Sequence, residues 1–375
     1  MYFNLKKLPD ICDISTGKHN ANHATENGKY RFYTCANQFT YCDTKSFSGE
    51  NIIVPGNGDI GLVFYYNGEF DAYQRTYVLS NIKINARYLY YHLLYQWKHV
   101  NKSKQYGSTV RYVRISNFNS YEVPVPSSLE QERIVAKIEE LFSNLDQSIS
   151  ELHLAQEKLE VYRQAVYLAS YNFTTDMHPI TDFFEISGGL TKNPNRNKYK
   201  TKMPYLRVAN VYYNALDLSE IKEIGVEEHE IQKLLLKKND LLFVEGNGSK
   251  SQIGRVAIWD DSIQNCLHQN HLIKGRPKGT MLSSYALFYL ISDKGRKQII
   301  NIARSTSGLY TLSTNKIKSL KLPYVELRKQ KEIVNNINSQ LSILNKIDEI
   351  LINTLKQAEA LRQSILKKAF EGGLV

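Results

Sequence analysis

Two stretches of the chain carry a long heptad pattern of apolar residues. In the first, positions spaced alternately four and three apart are mostly large and apolar: Ile134, Ile138, Leu141, Leu145, Ser148, Leu152, Ala155, Leu159, Tyr162 and Val166. This spacing is typical of a helix that packs along a seam against another helix. The pattern predicts a helix over residues 127–171, which at ~1.5 Å per residue is ~65 Å long.

The second stretch repeats the first. Adding 199 to each position gives a series with the same spacing and no insertion or deletion: Ile333, Ile337, Gln340, Leu344, Ile347, Leu351, Thr354, Ala358, Leu361 and Ile365. Residues that the heptad does not require also match, such as Gln131 with Gln330 and Arg163 with Arg362. A repeat of this period indicates an internal duplication. Each helix is therefore predicted to find its partner in the same chain.

The start of the first helix also has a signal. Pro126 is followed by Ser128-Leu129-Glu130-Gln131, which fits a Ser-x-x-Gln capping box. In that motif each end side chain satisfies the free backbone N–H of the other.

The segment before each helix has the pattern of an α+β globule. Residues 1–126 contain short aromatic and β-branched runs, an Asn67-Gly68 hairpin signal and a helical stretch near 88–97. Residues 172–324 repeat this order with different loop lengths. We predict an α+β chain with two globular domains, 1–126 and 172–324, joined by two long antiparallel coiled-coil helices, 127–171 and 325–375, as a pseudo-twofold internal repeat. Globules at opposite ends of such a rod lie ~65 Å apart, or ~19 base pairs of DNA.

Charge distinguishes the globules from the first helix. The whole chain carries a net charge of +11, divided as +5 over 1–126, −4 over 127–171, +8 over 172–324 and +2 over 325–375. Basic excess on two separate globules favours binding of nucleic acid at both, with a solvated basic surface as the alternative. No apolar run reaches the ~20 residues that span a bilayer, and no secretion signal is recognisable, so a cytoplasmic location without membrane attachment is expected.

Motifs for catalysis or metal binding are weak. Gly56-Asn57-Gly58-Asp59-Ile60-Gly61 fits the dinucleotide fingerprint, but a hairpin rather than a helix follows it. Asn193-Pro194-Asn195-Arg196 begins like an amino-methyltransferase motif but lacks its aromatic residue. The four cysteines form no CxxC pair, which favours free thiols in a reducing compartment over a zinc site. His268-Gln269-Asn270-His271 is better suited to reading bases than to holding a metal, because alternate side chains on a strand point to opposite faces.

Polar loop residues occur at corresponding places in the two globules. Arg and Lys suit guanine, Asn and Gln suit adenine, and Ser, Thr and Tyr suit phosphate. The predicted DNA-contacting residues are Lys18, Asn20, Asn57, Gln74, Arg75, Ser108, Arg111, Tyr112, Lys192, Asn193, Asn247, Lys250, His268, Gln269, Arg304, Thr306 and Tyr310.

This organisation resembles the specificity subunit of Type I restriction-modification enzymes over essentially the whole chain. The resemblance lies in the two globule-plus-helix halves and in three helical segments: Leu129-Glu130-Gln131-Glu132-Arg133-Ile134-Val135, Leu327-Arg328-Lys329-Gln330-Lys331-Glu332-Ile333-Val334 and Leu361-Arg362-Gln363-Ser364-Ile365-Leu366. It implies two target recognition domains that each read half of a bipartite double-stranded DNA site, with the helices fixing the spacer. The first globule, 1–126, is shorter than the second, 172–324, so the two predicted recognition domains are not equal in length.

The resemblance also implies partners and an absence of catalysis in this chain. Two modification subunits would bind S-adenosylmethionine and methylate adenine N6, and restriction subunits, which translocate DNA, would use ATP and Mg. This chain itself would bind no cofactor and no metal. Two alternatives from other classes are a single-chain nucleotide-modifying or DNA-modifying transferase that uses the glycine turn, and a coiled-coil adaptor.

Overall fold

The computed structural model describes residues 4–107, 109–172, 176–306 and 308–374, with the backbone alone at 304–306. The chain forms two compact units. The first comprises Met1–His153 and Ile352–Val375, and the second comprises Leu154–Leu351. Each unit therefore contains one globule and parts of both long helices.

The first unit alternates short strands with a few helices. Its strands are β1 Asn4–Lys7, β2 Asp13–Thr16, β3 Tyr30–Tyr33, β4 Thr40–Cys42, β5 Glu50–Pro55, β6 Phe64–Asn67, β7 Phe70–Ala72, β8 Thr76–Ser80 and β9 Glu122–Val125. Its helices are α1 Leu8–Ile11, α2 Ala86–Asn101, α3 Ile115–Asn119 and the start of α4 Ser128–Ser170, with a 3₁₀ turn at Ala21–His23.

The second unit follows the same plan. Its strands are β10 Met177–Pro179, β11 Phe184–Ser187, β12 Lys202–Leu206, β13 Val211–Tyr212, β14 Ala215–Leu216, β15 Lys222–Gly225, β16 Leu241–Val244, β17 Gly246–Asn247, β18 Val256–Ile258, β19 Leu267–His268, β20 Leu272–Pro277, β21 Arg304–Thr306, β22 Leu309–Thr311 and β23 Lys321–Pro323. Its helices are α5 Ile180–Phe183, α6 Glu228–Leu234, α7 Ser283–Ile291, α8 Asp293–Ile302, α9 Thr314–Lys318 and the start of α10 Leu327–Glu371, with 3₁₀ turns at Pro194–Lys198 and Val208–Asn210.

Sheet order confirms the internal repeat. Among the described residues, the first unit has sheets in the orders β2-β8-β5-β6, β4-β3-β7 and β1-β9, and the second has β11-β20-β16-β18, β15-β12-β19 and β10-β23. In each unit one pairing is parallel, β3 with β7 and β12 with β19, and its neighbour is antiparallel. The sheet β13-β14 has no equivalent among the described strands of the first unit, whereas the sheet β17-β22-β21 corresponds there to the isolated bridges of Tyr112 with Asn57 and Tyr106.

The two long helices run antiparallel within each unit. In the first unit, Ile134 and Ile138 near the start of α4 share a core with Leu366 and Ala369 near the end of α10. In the second unit, Tyr167 at the end of α4 shares a core with residues at the start of α10. This arrangement confirms the predicted α+β fold with two globular domains and two long antiparallel helices.

Most of the predicted seam positions are buried or half-buried, and two are exposed. The buried positions are Ile134, Ile138, Leu145, Leu159, Ile333, Ile337, Leu351 and Ile365, and Leu141, Leu152 and Leu344 are half-buried. By contrast, Ile347 is 38% exposed and Leu361 49% exposed, so both predictions are corrected. From Ile337 the next buried position is Leu341, four residues on rather than three. After Ile337 the spacing between buried or half-buried positions is therefore four residues and then three, whereas the prediction was three and then four. The sequence did not distinguish the two orders, because apolar residues occur at both sets of positions.

The start of α4 also differs from the predicted capping box. Ser127, rather than Ser128, is the capping residue, and its Oγ accepts from Glu130 N at 3.3 Å. Gln131 is 4% exposed and makes contacts outside the helix instead. Its Oε1 accepts from Asn85 N and its Nε2 donates to Pro126 O, both at 2.9 Å.

The equivalent glutamine in the second unit makes equivalent contacts. Gln330 is 0% exposed. Its Oε1 accepts from Leu282 N and its Nε2 donates to Val325 O, both at 2.8 Å. In both units a buried glutamine therefore joins the first turn of the long helix to the residue that precedes the main helix of the globule, α2 or α7. We call this contact the glutamine joint.

In the described part of the chain, no helix combines the length and the apolar character that a membrane span requires. The four cysteines are free thiols, with Cys12, Cys42 and Cys266 buried and Cys35 partly exposed.

Candidate nucleic-acid interface

The glycine turn after β5 packs against the segment that precedes α3. Asn57 pairs with Tyr112 in an antiparallel bridge, and Gly58 N donates to Arg111 O at 3.0 Å. A Cβ on Gly56 would lie 2.4 Å from Arg75 O, so only glycine allows this approach. A strand rather than a dinucleotide-binding helix follows the turn, since β5 pairs antiparallel with β6. The predicted Asn67-Gly68 hairpin is corrected, because β6 pairs with β5 whereas β7 pairs with β3 in another sheet.

The second unit repeats this contact with the matching residues. Gly246 and Asn247 form β17, which pairs with β22 so that Asn247 lies opposite Tyr310. In each unit an asparagine from the glycine turn therefore lies next to a tyrosine from the segment before the long helix. The sequence alone paired these loops only by their order along the chain.

A second pair of loops also comes together in each unit. His19 forms a parallel bridge with Tyr73, and Gln74 N donates to His19 O at 2.9 Å. Lys18 and Asn20 are exposed on either side of this bridge.

The matching bridge in the second unit joins Leu190 to Gln269, and Asn270 N donates to Leu190 O at 2.9 Å. Lys192 and Asn193, which are exposed, follow Leu190.

In the first unit these loops enclose a cavity of about 480 Å³. Its lining includes Asn57, Gln74, Arg75 and Tyr112, four of the predicted DNA-contacting residues. The Oδ1 of Asn57 is buried and has no hydrogen-bond partner among the described residues. Asn57 lines the cavity, and asparagine is a side chain that pairs with adenine through the N6 amino group and N7.

Arg114 belongs to the same cavity but was not among the predicted residues. Its guanidinium lies 4.1 Å from the ring centroid of Tyr106, and it donates to Tyr112 Oη at 3.1 Å. The exposed guanidinium therefore sits on a platform of two stacked tyrosines. Its signal in the sequence was its place directly after the Tyr112-Val113 stretch.

In the second unit, Lys192 and Asn193 line a smaller cavity of about 260 Å³ together with Lys202 and Lys222. Arg196, also in its lining, is buried and donates to both carboxylate oxygens of Glu230 at 2.8 and 2.9 Å. These hydrogen bonds lower the pKa of Glu230 to about 2. Arg196 therefore anchors the loop, while the lysines supply the positive charge of the cavity.

His268 is corrected as a DNA-contacting residue. It is 0% exposed, and its Nδ1 lies 3.1 Å from Leu234 O at the end of α6. Burial, with a smaller contribution from Lys274, lowers its pKa to about 3. A neutral, enclosed imidazole of this kind stabilises the globule and does not reach a base.

The remaining predicted residues are distributed as follows. Lys250 and Arg111 are exposed, Arg111 donates to Gln105, and Asn247, Gln269 and Tyr310 are half-buried. Ser108 lies outside the described residues. For Arg304 and Thr306 the structure gives the backbone of β21, which pairs with β22.

A family model and the relatives found by comparison with known proteins agree on one family. A family model described as "Type I restriction modification DNA specificity domain" matches residues 3–154 and 174–358. The chain is 24% identical over 402 residues to the Type I restriction enzyme EcoDI specificity subunit of Escherichia coli, which covers 98% of this chain and 88% of the relative.

Solved structures share the fold. A chain solved in work on complex assembly and conformational transition of the type I R-M system has a TM-score of 0.74 at 14% identity, with 99% of this chain and 98% of that chain covered. The HsdS subunit from Thermoanaerobacter tengcongensis has a TM-score of 0.57 at 15% identity, with 99% and 97% covered. With both halves matched by the family model, the chain belongs to the Type I restriction-modification DNA specificity family.

Proposed function

We propose that this chain is the DNA-binding specificity subunit of a Type I restriction-modification complex and that each unit reads one half of a bipartite target. The observation that carries the proposal is the repeated contact of an asparagine with a tyrosine, Asn57 with Tyr112 and Asn247 with Tyr310. Asparagine can pair with adenine through two hydrogen bonds, and tyrosine can bond a phosphate. Each unit thus holds one base-reading group beside one backbone-binding group.

Charge and cavity chemistry support the same assignment. The globular segments carry +5 and +8, whereas the first helical segment carries −4. In the first unit Arg75 and Arg114 line the cavity that contains Asn57. Arginine is the commonest reader of guanine and also binds phosphate, so the cavity can hold both kinds of contact.

The long helices would dock partner subunits and set the distance between the two half-sites. Along α10, Ile343, Ile347 and Ile350 follow a four-three spacing and are 58%, 38% and 63% exposed. An apolar stripe on a helix is normally covered by another element. Two modification subunits are the occupants that we propose, and restriction subunits would join them.

Chemistry would come from those partners. The modification subunits would bind S-adenosylmethionine and methylate adenine N6, and the restriction subunits would use ATP and Mg. This chain would select the sequence and hold the methyltransferases over it, without catalysing a step and without binding a cofactor itself.

One experiment tests target, spacing and division of labour together. The chain is expressed with its modification subunit in a methylation-free host, and N6-methyladenine is mapped across the genome. We expect methylation within two short sequences separated by a fixed unspecified spacer. A single continuous methylated sequence, or methylation of DNA by this chain alone with S-adenosylmethionine, would contradict the proposal.

A coiled-coil adaptor makes a different prediction. Because phosphate contacts release counterions, specific DNA binding must weaken steeply with salt. Failure to detect salt-sensitive DNA binding by the chain with its modification subunit would favour the adaptor.

A further inference from the structure

We propose that His19, His23 and Asp71 in the first unit bind one divalent transition-metal ion of the zinc class. His19 follows β2, His23 ends the 3₁₀ turn Ala21–His23, and Asp71 lies in β7. One ligand atom from each residue, an imidazole nitrogen or a carboxylate oxygen, lies within 4.8 Å of the other two. Histidine and aspartate are ordinary zinc ligands, so the residue types fit the ion.

The distances also fit a tetrahedral ion. His19 Nε2 lies 3.4 Å from Asp71 Oδ2. Two ligands at about 2.0–2.1 Å from one zinc ion, separated by a tetrahedral angle, lie about 3.4 Å apart. The rings of His19 and His23 are stacked in parallel with centroids 3.8 Å apart, so one ring has to turn for both to direct an in-plane nitrogen lone pair at the same ion. Three protein ligands leave one coordination position for water.

The charge of Asp71 supplies an independent argument. Asp71 is 0% exposed. Its carboxylate accepts from the hydroxyls of Thr44 and Ser46 and from Ala72 N, all neutral donors. A buried carboxylate is expensive unless a positive charge lies nearby, and a divalent ion between Asp71 and the histidines would supply it.

The surrounding hydroxyls would orient the ligands. Thr44 Oγ1 lies 2.6 Å from His23 Nε2 and donates to Asp71 Oδ2 at 2.7 Å. Ser46 Oγ donates to the same oxygen at 3.2 Å. Such outer contacts fix the direction of metal ligands, and removing them typically weakens metal binding 10–100-fold. The ion would fasten the loop that carries Lys18 and Asn20 to β7.

The test uses the full-length chain, stripped of metal and titrated with Co²⁺. We expect one equivalent to produce the visible absorption of tetrahedral Co²⁺, and Zn²⁺ to displace it. Competition with a chromophoric chelator then gives the affinity for Zn²⁺. His19→Ala, His23→Ala and Asp71→Asn should each weaken binding at least tenfold.

The matched control is His229→Ala, because His229 is 75% exposed and lies 3.2 Å from a single carboxylate, that of Glu227. It should leave Zn²⁺ affinity unchanged. Circular dichroism checks that each variant folds, and the two histidine variants decide the matter if Asp71→Asn does not fold. No tetrahedral Co²⁺ spectrum, or equal affinity in the wild type and both histidine variants, would overturn the proposal.

Discussion

Arg362 on α10 pairs with Asp146 on α4 in the first unit, and its guanidinium lies 5.1 Å from the ring centroid of Phe142. The second unit contains the same contact 199 positions away, where Arg163 donates to Asn345 Oδ1 at 2.7 Å. Asp146 and Asn345 are themselves 199 positions apart. The duplication therefore preserves a contact between the helices, although one acceptor is charged and the other neutral.

The Asp146–Arg362 pair should have a measurable coupling energy. Asp146→Ala, Arg362→Ala and the double variant form a thermodynamic cycle, and urea unfolding gives each free energy. We expect a coupling of about 0.5–1 kcal/mol, since the pair is partly exposed. Arg328→Ala is the control, because that side chain is 91% exposed and should change stability negligibly. Additive single variants would show that the pair does not contribute.

The glutamine joint should matter for stability in both units. Gln131→Leu removes the partner of Asn85 N and Pro126 O, and Gln330→Leu removes a partner of Leu282 N, Val325 O and Thr280 O. Because both glutamines are buried and all of these partners except Thr280 are at least half-buried, each variant should lose ~1–3 kcal/mol of unfolding free energy. The measurement is denaturant unfolding followed by circular dichroism.

Gln147→Leu and Gln340→Leu are matched controls on the same helices. Both glutamines are exposed and bond only neighbours on their own helix among the contacts that the structure gives. If the control and joint variants lose equal stability, the joint is not the cause.

Replacing Asn57 should change one half of the DNA target. Asn57→Ala removes a carboxamide side chain that lines the cavity of the first unit. A bidentate contact to a base contributes ~1–3 kcal/mol of discrimination, so we expect relaxed or lost recognition at one base pair of one half-site. Mapping of N6-methyladenine with the variant complex gives the result. Asn67→Ala, at the exposed end of β6, should leave the whole target unchanged.

Acid should destabilise the second unit through His268. Burial lowers its pKa from 6.5 to about 3, so the unfolded state binds more protons between these values. Stability is therefore retained above pH ~6.5 and lost as the pH falls below it, by at most about 1.4 kcal/mol per pH unit for one proton.

His268→Asn, which keeps a donor near the position of Nδ1, should flatten this dependence between pH 6.5 and 4. His229→Asn should not, since His229 is 75% exposed. An unchanged slope in His268→Asn would assign the acid sensitivity to other groups. His92, whose pKa burial lowers to about 4, contributes in the same direction in the first unit.

Lengthening both helices should lengthen the spacer. Seven residues inserted after His153 and after Leu351 preserve the heptad register and add ~10.5 Å of helix, which corresponds to ~3 base pairs. We expect a methylated target with both half-sites unchanged and a spacer longer by about that amount. An insertion of four residues breaks the register and should destabilise the chain. Altered half-sites with the original spacer would contradict a measuring role for the helices.

The order of globules and long helices could be predicted from the sequence. Which side chains of the helices face the seam, and which partners they bond, could not. The period of 199 residues and the apolar repeat were sufficient for two globules and two antiparallel helices. They were insufficient for the seam at Ile347 and Leu361, because a four-three pattern with apolar residues on both sides of the seam fits two registers. Gln131 resembled a capping residue because its actual partner, Asn85 N, is distant in sequence.

Contacts between loops that are distant in the chain could not be predicted from the sequence either. Asn57 and Tyr112 were both selected as polar loop residues, but their adjacency depends on a backbone bridge between distant segments. His268 has the chemistry of a base reader, and only the packing of α6 over it determines that it is enclosed. The cluster of His19, His23 and Asp71 was missed for a related reason: Asp71 in β7 is about fifty residues from the two histidines in sequence, with no short motif to mark the contact.

The hydrogen bonds that the structure gives for the glutamine joint all go to main-chain atoms: the amide N of Asn85 or Leu282 and the carbonyl O of Pro126, Val325 or Thr280. Main-chain groups are the same in every sequence, so this attachment does not depend on the side chains of the globule. A globule with an entirely different recognition surface would fit the same helices if its backbone followed the same path. The surface residues of each globule can therefore diverge in sequence without changing the contacts that attach the globule to the long helices.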